Sequence, residues 1–144
     1  MTKILITGAS GFIGTSLYKK LSCDNEFDVH VISRNEIFFP RLSSHVIQNY
    51  SNVDELISVI KKIHPEIIIH AGADMNATTI ENSFTKNLWK ASLPLLKKFI
   101  FLSSIYVYKP SENLIDEKSE VEPWSVYGEA KRNDEIFLEN ESIG

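Results

Sequence analysis

Tyr127 and Lys131 stand four residues apart in the run Tyr127-Gly128-Glu129-Ala130-Lys131. On a helix that spacing puts both side chains on one face. A free phenol is protonated near neutrality, and an ammonium beside it favours the phenolate. Such a pair supplies a general acid/base to a hydroxyl or carbonyl. Taken alone, it also fits a surface lysine beside a half-buried tyrosine. A third group lies upstream, where Phe101-Leu102-Ser103-Ser104 places hydroxyls at the exit of a short apolar run. If that run is a strand of an open α/β sheet, its end lies at the edge where ligands bind.

The N-terminus carries a different chemistry in Thr7-Gly8-Ala9-Ser10-Gly11-Phe12-Ile13-Gly14. Gly8 permits a tight turn, Gly11 lets backbone approach a pyrophosphate, and Gly14 lets a helix pack close to a strand. Free N–H groups at the helix start then face the anion. The turn follows a strand-like run and opens a helical one, as a dinucleotide site requires. At the end of the second strand, Ile32-Ser33-Arg34-Asn35 has Ser33 where an acid would bind a ribose 2′-hydroxyl. The Arg34 guanidinium suits a 2′-phosphate, so NADP is favoured over NAD. The alternatives are a solvated loop charge at Arg34 and Glu36 as a substitute acid.

These groups need elements to hold them. Strands are expected at Lys3–Thr7, Asp28–Ser33, Val46–Gln48, Ile67–Ile69 (ending at His70) and Phe99–Leu102. Helical spacing marks Phe12–Leu21, Val53–Ile63, Phe84–Leu93 and Trp124–Asn140. In the second of these, Leu56, Ile57, Ile60 and Ile63 share one face, and Pro65 ends it. Pro94 disturbs the end of the third. Asp74–Ser83 and Lys109–Glu122 read as polar loops. Strands and helices alternate, which predicts an α/β fold, a Rossmann-type doubly wound parallel sheet, in one domain over residues 1–144.

Composition narrows the partners. Of the 144 residues, 43% are hydrophobic and 24% charged, and the net charge is −4. An ordinary core is within reach, and neither nucleic acid nor an anionic membrane finds a basic surface. Cys23 is the sole cysteine, which suits a reducing compartment. No apolar run is long enough for a leader or a span, so a cytoplasmic location is expected. His30, His45, His64 and His70 form no metal-ligand pattern.

Taken together, the motifs resemble the extended short-chain dehydrogenase/reductase family of nucleotide-sugar epimerases, dehydratases and reductases. The likeness rests on Gly-x-x-Gly-x-x-Gly with Thr7 ahead and Phe12-Ile13 inside, on Ser103-Ser104 leading to Val107-Tyr108, and on Tyr127-x-x-x-Lys131. Glu66-Ile67-Ile68-Ile69-His70-Ala71-Gly72-Ala73 resembles the family's fourth strand and its small-residue loop. The resemblance implies that Gly8, Ser10, Gly11, Phe12, Ile13 and Gly14 hold the dinucleotide, with Ser33 and Arg34 at its ribose. It puts Asn49 near the adenine amino group, and Ala71, Gly72 and Ala73 beside the nucleotide. Tyr127 becomes the acid/base, Lys131 the residue that holds the nicotinamide ribose and tunes Tyr127, and Ser104 the group bonded to the reacting oxygen. His70 is expected to be structural.

The sequence also departs from the family. The loop after His70 is short, and Lys109 replaces the glycine that commonly follows Val-Tyr. The family continues into a further strand and a substrate region where this chain stops, at Gly144. The resemblance therefore covers the N-terminal cofactor half and implies a nucleotide-sugar substrate. The shortness opens two alternatives, a truncated, non-catalytic nucleotide-binding relative or a half-enzyme completed by another chain, and the partner expected is a second copy in a homo-oligomer or a complementing chain. Well-oriented binding supplies roughly 7–11 kcal/mol of a barrier, so these residues alone are expected to turn over nucleotide sugars poorly.

Overall fold

The computed structural model of the chain describes residues 1–39, 43–73, 83–93 and 96–142. In chain order the elements are β1 (Thr2–Thr7), α1 (Phe12–Leu21), β2 (Phe27–Ser33), β3 (Ser43–Val46), α2 (Val53–Ile63), β4 (Ile67–His70), α3 (Phe84–Ser92), β5 (Lys98–Phe101) and α4 (Val126–Ser142). A 3-10 turn at Ile105–Val107 lies between β5 and α4.

The strands form one parallel sheet in the order β3-β2-β1-β4-β5. Alternate residues leave opposite faces of each strand. Ile4, Ile6, Val29, Val31 and Ile69 pack with Tyr18 of α1, while Leu5, Ile32 and Ile68 pack with Leu56, Ile60 and Ile63 of α2 and with Phe84 and Leu88 of α3. Burial on both faces is why β1, β2 and β4 read as nearly continuous apolar runs.

Helix ends follow local chemistry. Asn52 caps α2 by accepting from Glu55 N at 3.2 Å. Asp54 and Glu55 lie in its first turn and Lys61 and Lys62 in its last, complementing the helix dipole. Ser83 caps α3 through Lys86 N. Ser125 accepts from Gly128 N at 3.0 Å, so α4 begins at Val126 and not at Trp124.

The third strand differs from expectation. It covers Ser43–Val46, ahead of the apolar Val46–Gln48 run. Among the described strands β3 borders β2 alone, and its register follows that backbone ladder. Ile47 still enters the core, and its N–H bonds to Ser33 O at 2.9 Å just past the strand. The expected loop Asp74–Ser83 lies outside the described residues except for Ser83, and Pro94 also lies outside them.

From β1 the chain moves outward to β2 and β3, then returns across β1 to β4 and β5. The order reverses between β1 and β4, and the crevice beyond their C-terminal ends is where open α/β sheets bind ligands. The glycine turn leaves β1 there, and Ala71–Gly72 leaves β4 beside it.

Candidate active site

The three glycines of the turn have different reasons to be glycine. Gly8 has φ +72°, and a Cβ there would lie 2.6 Å from Gly72 N and 2.7 Å from the Ala71 carbonyl. A Cβ on Gly14 would lie 2.2 Å from Gly8 O, so α1 rests directly on the turn. The fold itself requires these two. Gly11 has φ −83° and ψ 169°, which any residue adopts, and a Cβ there would meet only Gly8 O, at 3.3 Å. Its missing side chain leaves open space over the start of α1. Gly11 gives α1 no side-chain cap, so first-turn N–H groups are left without a side-chain acceptor from the cap residue. Ser10 is exposed, and Phe12 and Ile13 are 91% and 53% exposed beside it. That is apolar surface in position for a ligand to cover.

At the end of β2, Ser33 is buried and its hydroxyl donates to Asn35 O at 2.5 Å. Arg34 is exposed and is in no ion pair among the described residues. Asn49 Oδ1 accepts from Ser51 N at 2.9 Å, so the amide oxygen expected near adenine helps form a local turn and keeps one lone pair. Ala71 and Gly72 are half-buried against Gly8, and Ala73 is exposed. Ala71 N donates to Thr7 O and Gly72 N to Thr7 Oγ1, each at 3.3 Å, which ties the two loops together.

The helix α4 brings Tyr127 and Lys131 to one face. Lys131 is buried, 4% exposed, and its Nζ donates to Leu102 O at 2.9 Å, just past β5. The ammonium sits 4.5 Å from the Phe101 ring centroid and 5.9 Å from that of Tyr127. Burial holds its pKa below the usual lysine value, with Asp134 and Glu135 pulling the other way. Ser104 caps the 3-10 turn by accepting from Tyr106 N at 3.2 Å. The hydroxyl hydrogen goes to no described residue, so Ser104 is a structural cap that keeps a free donor.

That turn seats α4. A Cβ on Gly128 would lie 2.2 Å from Tyr106 O, so the helix start rests on the turn's backbone. The Tyr106 ring stands edge-on to both Trp124 and Tyr127. Ser104, Tyr127 and Lys131 are thus gathered around the exit of β5.

A buried polar chain joins the two halves of the site. Thr7 Oγ1 lies 2.5 Å from His70 Nδ1, and His70 Nε2 lies 3.0 Å from Thr85 Oγ1. Thr85 and Ser83 donate to the two carboxylate oxygens of Asp134 at 2.5 and 2.9 Å. Burial and the nearby Lys131 charge lower the His70 pKa from 6.5 to about 3, so the imidazole is neutral. Thr7, Thr85 and Asp134 were not legible as a set, because their links span 15 to 63 residues. The available signal was His70 itself, since a histidine ending an apolar strand needs polar partners. Among the described residues no group of three or more His, Cys, Asp or Glu side chains gathers to hold a metal ion.

Comparison with known proteins gives this arrangement a context. The profile of the NAD dependent epimerase/dehydratase family matches residues 4–141. ADP-L-glycero-D-manno-heptose-6-epimerase of Cupriavidus pinatubonensis is 28% identical over 143 residues, covering 89% of this chain and 43% of its own. UDP-glucose 4-epimerase of Thermus thermophilus in complex with NAD superposes with a TM-score of 0.82 at 19% identity, over 96% of this chain and 50% of that one. The UDP-Glc/GlcNAc 4-epimerase of Campylobacter jejuni gives 0.81 at 21% identity, over 99% and 50%. At these identities the structures establish the Rossmann-type fold. The chain spans about half the length of the curated relatives it matches, 43–50%.

Proposed function

Since the chain belongs to the NAD dependent epimerase/dehydratase family, we propose that residues 1–144 form the dinucleotide-binding and acid/base part of an enzyme acting on a nucleotide-activated sugar. Gly11 carries this reading. Its backbone torsions need no glycine, a Cβ would make only one tight contact, with Gly8 O at 3.3 Å, and Gly11 leaves the start of α1 without a side-chain cap. A pyrophosphate against a helix start uses both features. Gly8, Ser10, Gly11, Phe12, Ile13 and Gly14 would hold the dinucleotide, with Ala71, Gly72 and Ala73 beside it and Asn49 at the adenine.

When bound, the nicotinamide supplies hydride acceptance and donation. Tyr127 would take or return the proton of the sugar hydroxyl. Ser104 donates its free O–H to the reacting oxygen. Lys131 spends one N–H on Leu102 O and has two left for the nicotinamide ribose and for tuning Tyr127. The exposed Cys23 suits the cytoplasm.

NADP is the preferred dinucleotide. The Ser33 proton is spent on Asn35 O, the strand ends in Ser33-Arg34 and not in an acid, and among the described residues Arg34 is in no ion pair. Arg34→Ala should weaken NADPH binding by about 1.5–3 kcal/mol, the range for a charge-assisted hydrogen bond. NADH binding should be nearly unchanged. Titrations of both variants by nicotinamide fluorescence check this, and equal losses for the two dinucleotides would remove Arg34 from the ribose site.

The outer edge of the sheet favours a second reading, that further polypeptide completes the substrate site. β5 borders β4 alone among the described strands, and Ile100 is exposed. A groove of about 650 Å³ lined by Phe99, Phe101, Val121, Arg132 and Leu138 runs along it. Such an edge accepts another strand or a second copy of this chain.

A further inference from the structure

We propose that Thr85 and Asp134 are positioning residues, the far end of a one-way hydrogen-bond relay from Thr7 through His70 that holds α4 in register with the glycine turn. The directions follow from proton counting. Asp134 accepts from Ser83 and Thr85, so the single Thr85 proton is spent. Thr85 Oγ1 must then accept from His70, and the His70 proton lies on Nε2. A neutral imidazole with Nε2–H has a bare Nδ1, which accepts from the Thr7 hydroxyl. Thr7 Oγ1 in turn accepts from Gly72 N–H. Every member is satisfied, and no other assignment of protons achieves that with an ionised Asp134.

The relay starts at the residue before Gly8 and ends on α4 one turn from Lys131. α4 needs such a tether. Residues 132–135 and 137–138 are only half-buried, and the helix meets the sheet end chiefly through the 3-10 turn and Lys131. Satisfied buried networks of this kind rigidify what they connect. The proposal rests on the reading of Tyr127 and Lys131 as the acid/base pair, and its test separates the two.

The test is nuclear magnetic resonance of the full 144-residue chain with 15N-labelled histidine. His70 should show a protonated Nε2 and a bare Nδ1. Thr85→Val strands both the imidazole N–H and one carboxylate oxygen. Backbone amides of α4 should then exchange about tenfold faster, the loss of one hydrogen bond to a charged group. NADPH affinity should fall with it, and Thr85→Ser should restore both. If Thr85→Val does not fold, Asp134→Asn serves, since its amide oxygen accepts from only one of the two hydroxyls. An Nδ1–H tautomer, or a folded Thr85→Val with unchanged exchange and affinity, overturns the relay. If the wild-type chain binds no NADPH while the tautomer and exchange results hold, the functional reading fails and the relay stands.

Discussion

A Gly11→Val chain is expected to fold but to bind dinucleotide roughly 100-fold more weakly. Its backbone at position 11 is extended, with φ −83°, so valine meets no torsional barrier there. The one close contact is 3.3 Å from Gly8 O, and relief needs a shift of a few tenths of an ångström. Gly11 is also the N-cap of α1, and exchanging a glycine cap for valine costs about 1 kcal/mol, within the margin of a domain this size. Binding suffers far more. The isopropyl group would occupy the space at the start of α1 that the proposed pyrophosphate needs. Loss of one or two charge-assisted bonds at about 1.5–3 kcal/mol each predicts roughly 100-fold weaker binding of NADPH and NADH alike. Gly14→Val is the contrast. Its Cβ would meet Gly8 O at 2.2 Å, so it should lose the fold itself. Circular dichroism with fluorescence titration separates the two outcomes, and a folded Gly11→Val chain with near-normal affinity would make the turn purely structural.

The second large effect is acid sensitivity carried by His70. The unfolded chain takes up a proton at His70 near pH 6.5, whereas the folded chain resists until about pH 3. Below 6.5 the unfolded state therefore binds more protons, and stability falls as pH falls through this window. The slope approaches about 1.4 kcal/mol per pH unit. Between pH 7.5 and 5 this amounts to about 2 kcal/mol, before most carboxylates titrate. Burial and the neighbouring His30 lower the His45 pKa as well, so His45 adds in the same direction. Urea midpoints across that range measure the sum. His70→Gln should be less stable at pH 7.5 but show a flatter dependence. An unchanged slope in that variant, or a His70 resonance titrating near 6.5, would contradict a neutral buried imidazole.

Where the sequence was legible, one local cause dominated. β1, β2 and β4 could be read because burial on both faces leaves an uninterrupted apolar run, and the glycine turn because its spacing has a steric meaning at each position. β3 was misplaced because the ladder pairs His30–Ser33 with the polar Ser43–Val46, while the more conspicuous Ile47 is buried just past the strand. The α4 start was set by the Ser125 cap, whose partner Gly128 N is visible only in three dimensions. Tyr127 and Lys131 were legible as a helical pair. That the lysine would be buried over Phe101 was not, since the two lie thirty positions apart and only the packing of α4 on the 3-10 turn brings them together. Ser104 was read through its place at a strand exit, and its cap of the 3-10 turn was hidden because the turn forms only once the chain folds over the end of β5.

The most direct test is the 1H–15N spectrum of the 144-residue chain titrated with NADPH. Saturable shifts are predicted at the amides of Gly8, Ser10 and Gly11 and at the start of α1, extending to Arg34, Gly72 and Lys131, with the α2 surface still. Absence of shifts, or shifts confined to the groove along β5 with the glycine turn silent, would contradict dinucleotide binding at Gly11.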